Sequence, residues 1–284
     1  MCTVVIEVPA DESAPTRVLA VRDEDPNRPW DPPGEWWPTE HPGTLGVRDR
    51  RANGAWLAVA PDRGRLAVMV NRAAEMAEPA GGFTSRGGLV LESVAGGALV
   101  DPPTAAPFSL VEVAGSAAFV SAWDGVALRR ERLSPGVHML AHHDVDDPRS
   151  ERIARWLPEF QALAGAPEAE WREQWLGLLA RTAELSPTDD EAIVRDNRPL
   201  GYPTLSLLTC IAEVSPGGGG AVAGGAGARG AGDGGAGAGA GAGVGAGAGA
   251  GVGARGAGAG GLVDLRWAPF TEPGSWGTPA FATA

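Results

Sequence analysis

Lysine is absent from this chain of 284 residues, so all 23 basic residues are arginine. Together with the abundance of Ala, Gly and Pro, this points to a GC-biased coding sequence, and arginine number alone then says nothing about anion binding. Cysteine is almost absent as well. Cys2 and Cys210 are too few for a disulfide framework and lack metal-ligand spacing, which leaves reduced thiols as the expectation. The apolar run at residues 3–8 breaks at Pro9 before Asp11 and Glu12, so it is neither a secretory core nor a membrane span. A cytoplasmic chain with no integral membrane span is expected. Positive charge is in deficit, and a formal net charge of −12 disfavours nucleic acid or an anionic membrane surface as the main partner.

Against these absences, the second residue stands out. Aminopeptidases remove an initiator Met readily before a small residue, so Cys2 could carry a thiol and a free α-amino group together. An α-amine with a pKa of about 8 keeps a neutral fraction near neutral pH and can take the thiol proton, so no histidine partner is required. A chance small residue opening a strand is the plainer reading of the position alone.

Residues 3–8 and 17–22 are β-branched or apolar runs around a polar segment and read as a hairpin, with Cys2 at the start of a central strand. Residues 23–42, rich in Pro and Trp, read as an ordered loop anchored by Trp30, Trp36 and Trp37. Runs at 54–60 and 65–71 flank Pro61-Asp62-Arg63-Gly64 and predict a second hairpin. Ser85 before Arg86 to Ala95, closed by Gly96-Gly97, predicts a short capped helix. Runs at 108–113, 117–123 and 126–132 predict a meander, and residues 149–164 and 168–185 two amphipathic helices whose tryptophans face a core. Strand character returns at 204–214 and 262–267. The Gly/Ala tract over residues 216–261 has almost no side chain to bury and is expected to be a disordered insertion between two strands of one domain, residues 1–215 and 262–284. Many antiparallel strands and few helices argue for an α+β fold.

Several spaced segments resemble one family. Leu19-Ala20-Val21-Arg22-Asp23-Glu24, Asn27-Arg28-Pro29, Trp36-Trp37, Gly46-Val47-Arg48-Asp49, Gly54 to Val59, Asn71-Arg72, Ser85 to Val90 and Leu133 to His138 follow the order of the NRDE family, which includes the transport and Golgi organisation protein 2 homologues. Of the Asn-Arg-Asp-Glu tetrad that names the family, Arg22, Asp23 and Glu24 are present and Val21 replaces the Asn. His142 stands where a later family Asn belongs, and Gly201-Tyr202-Pro203-Thr204 where the family pattern has an Arg. The Met-Cys-Thr start and the strand arrangement are in turn similar to N-terminal-nucleophile hydrolases of the choloylglycine hydrolase and penicillin V acylase group. That similarity implies an αββα sandwich of two antiparallel sheets flanked by helices, and amide cleavage by an N-terminal cysteine.

On this resemblance Cys2 is the nucleophile toward an acyl or amide substrate, and no cofactor is required. Arg22 would lower the thiol pKa or else form a structural ion pair. Asp23 would orient the N-terminal ammonium or else serve a turn, and Asn71 would donate to an oxyanion or else cap its strand. Glu24 and Arg28 are candidate substrate contacts. His142 and His143, adjacent in sequence, are poorly placed to chelate one metal and read as loop or surface residues. The competing class is a non-catalytic carrier of haem or acyl-CoA, with a role in lipid homeostasis or Golgi organisation.

Overall fold

The computed structural model describes residues 2–74, 76–217 and 262–284. These form one compact unit. The expectation of a disordered insertion falls, beyond Gly217, outside the described residues. What is described at its margins is a pairing, since Ser215 N–H donates to the Leu262 carbonyl at 2.7 Å.

Thirteen strands are described: β1 (Thr3–Val8), β2 (Thr16–Glu24), β3 (Trp30–Gly34), β4 (Leu45–Asp49), β5 (Gly54–Ala60), β6 (Arg65–Asn71), β7 (Phe108–Ala114), β8 (Ala117–Trp123), β9 (Leu128–Arg132), β10 (Gly136–Leu140), β11 (Leu205–Val214), β12 (Val263–Pro269) and β13 (Ala282–Thr283). Three α-helices accompany them: α1 (Arg86–Ala95), α2 (Glu151–Gln161) and α3 (Trp171–Thr182). One antiparallel sheet runs β10-β1-β2-β11-β12-β13, and the other keeps chain order from β3 to β9.

Strand alternation sorts the side chains into three cores. Val4, Ile6, Val18 and Ala20 of the first sheet meet Leu57, Val59, Leu66 and Val68 of the second between the sheets. Val5, Leu19, Val21 and Ile211 point the other way, onto Ile153, Trp156 and Phe160 of α2 and Trp171 and Trp175 of α3. Ala58, Ala67 and Met69 on the far side of the second sheet pack on Val90, Leu91 and Val94 of α1. The result is the expected αββα sandwich, an α+β fold. Both faces of each sheet are covered, which is why β1 and β5 are buried at every residue and read as continuous apolar runs.

The segment 23–42 departs from expectation, because β3 forms within it despite Pro32 and Pro33. It lies at the edge of its sheet, where a missing N–H removes no inner ladder bond. The tryptophan anchors hold. Trp37 is 3% exposed and its Nε1 donates to the Asn53 carbonyl at 2.8 Å. His142 and His143 follow β10 in a bend, with ring centroids 4.3 Å apart. Among the described residues no helix is long and apolar enough to cross a membrane.

Candidate functional site

The β1–β2 ladder pairs Thr3 with Val21, so Cys2 and Arg22 come next across it, at the open end of the sandwich. The Cys2 Sγ lies against the main chain of Asp23, accepting from its N–H at 3.4 Å and donating to its carbonyl at 3.6 Å. Burial pushes the Cys2 thiol up and the Asp23 charge adds to it, while the Asp23 N–H and the Arg22 guanidinium pull down without prevailing. A standing thiolate is therefore disfavoured.

Arg22 is 2% exposed. Its Nη2 reaches Glu24 Oε2 at 3.4 Å, its guanidinium lies 5.9 Å from the Trp30 ring centre, and its Nη1 is buried with no partner. Arg28 is engaged by Asp49, its Nε donating to Oδ2 at 2.8 Å, and stands 3.8 Å from Glu24.

Asp23 points to the opposite face of β2, toward α2. Ser206 Oγ donates to its Oδ1 at 2.6 Å and accepts from Arg195 N–H at 2.8 Å, at a bulge in the β2–β11 ladder. Arg152 of α2, 4% exposed, donates to Thr3 Oγ1 at 2.9 Å. Burial lowers Arg152 to about 10, and the Asp23 charge is the largest influence holding its proton on.

Cys2, Arg22, Asp23, Glu24, Arg28 and Asn71 all line one cleft of about 690 Å³. Asn71, the last residue of β6, is exposed there. A second cleft of about 900 Å³ shares Asp23, Glu24, Asn71, Arg86 and Ala106 with the first, and is further walled by Arg72, His142, Arg152, Arg195, Leu200 and Tyr202. The joined walls carry eight arginines and five acidic residues, a cationic surface on a chain of net charge −12.

Sequence reading passed over Arg86, Arg152, Arg195 and Ser206. Arg152 shares the buried stripe of α2 with Ile153, Trp156 and Phe160, and Ser206 interrupts an apolar strand. A polar residue on a face that must be buried was the legible signal in both.

Of the departures from the family pattern, Val21 lies in the core against the helices and lines neither cleft. His142 does line the second cleft. Burial lowers it to about 4, so its imidazole is neutral at pH 7, and its buried Nδ1 has no partner. Pro203 sits between two residues of the same wall, Tyr202 and Thr204. Among the described residues, no cluster of three His, Cys, Asp or Glu is placed to hold a metal ion.

A thiol, a carboxylate held by a hydroxyl, a buried guanidinium and an exposed amide thus share one cavity, the residue types that acyl transfer uses. The family model described as Transport and Golgi organisation 2 matches residues 1–192, the span that holds Cys2, Arg22, Asp23, Asn71, Arg86 and Arg152. The comparison with curated proteins gave no match.

Proposed function

The chain belongs to the Transport and Golgi organisation 2 family, and we propose that it is an amidohydrolase acting on an acylated small molecule through Cys2, in the cytoplasm. The observation that carries this reading is the convergence of Cys2, Arg22, Asp23 and Asn71 on one cleft. The αββα layering, with the cysteine at the start of a central strand, supports it.

In this reading Met1 is removed and the Cys2 Sγ attacks the amide carbonyl carbon. The thiol proton passes to the α-amine as the S–C bond forms, which suits a buried thiol better than a standing thiolate. The oxyanion accepts from the Asn71 amide. Collapse breaks the C–N bond, and the leaving amine takes its proton from the α-ammonium. Water then attacks the thioester with the same amine as base, releasing the carboxylic acid and restoring the thiol. Asp23, steadied by Ser206, orients the ammonium. Arg22 offsets negative charge as it develops beside the sulfur. No step needs a cofactor.

A second reading is a non-catalytic carrier of haem or acyl-CoA, for which the candidate contact is His142, a neutral ring in the wall of the second cleft. In that reading His142 would hold the haem, which would supply redox chemistry of its own.

The test is intact-mass analysis combined with hydrolysis of a panel of N-acyl amides. The mature parent is expected to lack Met1, to accumulate an acyl adduct and to turn over, whereas Cys2→Ala does neither. Asn71→Ala is expected to lower kcat by about 10²-fold or more, the usual loss for one oxyanion donor. A retained Met1, or equal turnover in the parent and Cys2→Ala, sinks the mechanism. A haemin titration that saturates in both proteins, with no turnover in either, favours the carrier.

A further inference from the structure

Thr3 opens β1 one residue after Cys2, and successive side chains leave a strand on opposite faces. The Cys2 thiol belongs to the core between the sheets. Thr3, 2% exposed, turns to the helices, and its Oγ1 accepts from Arg152 Nη1 at 2.9 Å. Arg152 is the second residue of α2 and lines the second cleft but not the first. It is 4% exposed, on a stripe otherwise made of Ile153, Trp156 and Phe160. An apolar side chain would pack there without the cost of taking a guanidinium out of water. The bond to Thr3 thus ties α2 to the strand that carries the thiol, on the face the thiol does not use.

Charges of both signs surround this tie. Burial and the Arg195 charge work against the Arg152 proton, while the charges of Asp23, Cys2 and Asp190 hold it, so that at about 10 the group stays charged at pH 7. His142, after β10, meets the Arg152 and Arg195 charges and is neutral at that pH. Toward the other sheet, Arg22 of β2 and Arg86 of α1 lie in the field of Cys2 and Glu24. In the mature chain of the proposed mechanism, the Cys2 α-amine begins this strand, one residue before Thr3. Only its neutral form accepts the thiol proton. A carboxylate beside it favours the ammonium, and a fixed cation nearby opposes that.

We propose that Arg152 is a positioning residue: held by Thr3, its fixed charge offsets that of Asp23 and keeps the Cys2 α-amine free to take the thiol proton. This rests on the amidohydrolase reading and deepens it. Asp23 aims the amine, and Arg152 keeps that carboxylate from locking the amine as an ammonium. A tie that served packing alone would change stability and leave the titration of the amine where it was.

The test is titration of the Cys2 α-amine in the full-length protein labelled with nitrogen-15 cysteine, read from its nitrogen shift, beside the pH profile of kcat/KM for an N-acyl amide. Arg152→Gln is expected to raise the amine pKa by about one unit or more, the scale for losing a like charge at close range. The acid limb of the profile should move up with it, and Arg152→Lys should restore most of the difference. Thr3→Val, which removes Oγ1 but keeps the branched shape, should shift the amine the same way by less, and it decides the matter if circular dichroism shows Arg152→Gln unfolded. An amine that titrates alike in the parent and in these variants overturns the proposal, even where their urea midpoints fall. So does a retained Met1. Turnover is read separately: a raised amine pKa in Arg152→Gln with no cleavage by any of the proteins removes the amidohydrolase reading and keeps the influence of Arg152 on the amine, whereas cleavage with an unmoved acid limb removes the role of Arg152 alone.

Discussion

His142 carries an imidazole that burial, and then the neighbouring His143 and Arg152, drives down to about 4. In the unfolded chain the same ring titrates near its ordinary 6.5. Between those values the unfolded state binds the extra proton, so the contribution of neutral His142 is intact above 6.5 and is lost as pH falls toward 4. His138 works in the opposite window. Its Nδ1 lies 2.7 Å from Asp146 Oδ2 and its pKa is raised, so its contribution is present below 6.5 and lost as pH rises through the raised value. Urea midpoints measured at about pH 5 and about pH 7 should therefore differ less in His142→Asn than in the parent. An unchanged difference would mean that the ring is solvated rather than buried. At this scale the sequence was informative for one physical reason. Strand pairing sets Cys2 beside Arg22 at the end of the β1–β2 ladder, and Asp23, Glu24, Arg28 and Asn71, at or just beyond the ends of β2 and β6, line the same cleft. The partners of Arg86 and Ser206 were not legible, because Pro107 and Asp23 lie 21 and 183 residues away.

Helix α1 sets the wall of that cleft, and its ends were readable. Ser85 caps it, Oγ accepting from Gly87 N–H at 3.3 Å, and Gly96 closes it at φ 91°. How the helix docks was not readable, since it depends on two glycines 33 positions apart. A Cβ on Gly54 would stand 2.6 Å from the Gly87 Cα, and one on Gly87 would stand 2.8 Å from the Gly54 Cα, so backbone meets backbone. Neither side can yield by turning a side chain. Gly54→Ala should therefore push the first turn of α1 off β5, at a cost of about 1–3 kcal/mol typical of overpacking. The same displacement carries Ser85, Arg86 and Gly87, which line the first cleft with Cys2, so turnover should fall as well. A Gly54→Ala protein with the parent's Tm and turnover would show that the contact has room to relax. Strands β3, β4, β10 and β13 are the elements that sequence reading missed, β3 because two prolines in a five-residue strand mimic a loop wherever inner pairing is assumed.

At the scale of the molecule, the two-sheet layering was legible from many short strands with few helices, but the strand order was not. β11 and β12 come after all three helices in the chain, yet β11 inserts beside β2 and completes the first sheet. That placement closes the site, because Ser206 of β11 is what holds Asp23. The residues that line the two clefts, and Ser206, all precede the Gly/Ala tract, and β12 after it pairs with β11, so the tract is expected to be dispensable. Val214 is in register with Val263, and the ladder runs on from there to Leu208 and Pro269. A short turn can join residues 217 and 262 without moving either strand. Replacing a connection of some forty residues with about four removes more than three doublings of loop length, worth up to about 2 kcal/mol of closure entropy. The shortened protein is expected to keep the parent's turnover and to show a higher urea midpoint. Loss of folding on excision would mean that the β11–β12 ladder needs the tract, and that the first sheet is not assembled by strand pairing alone.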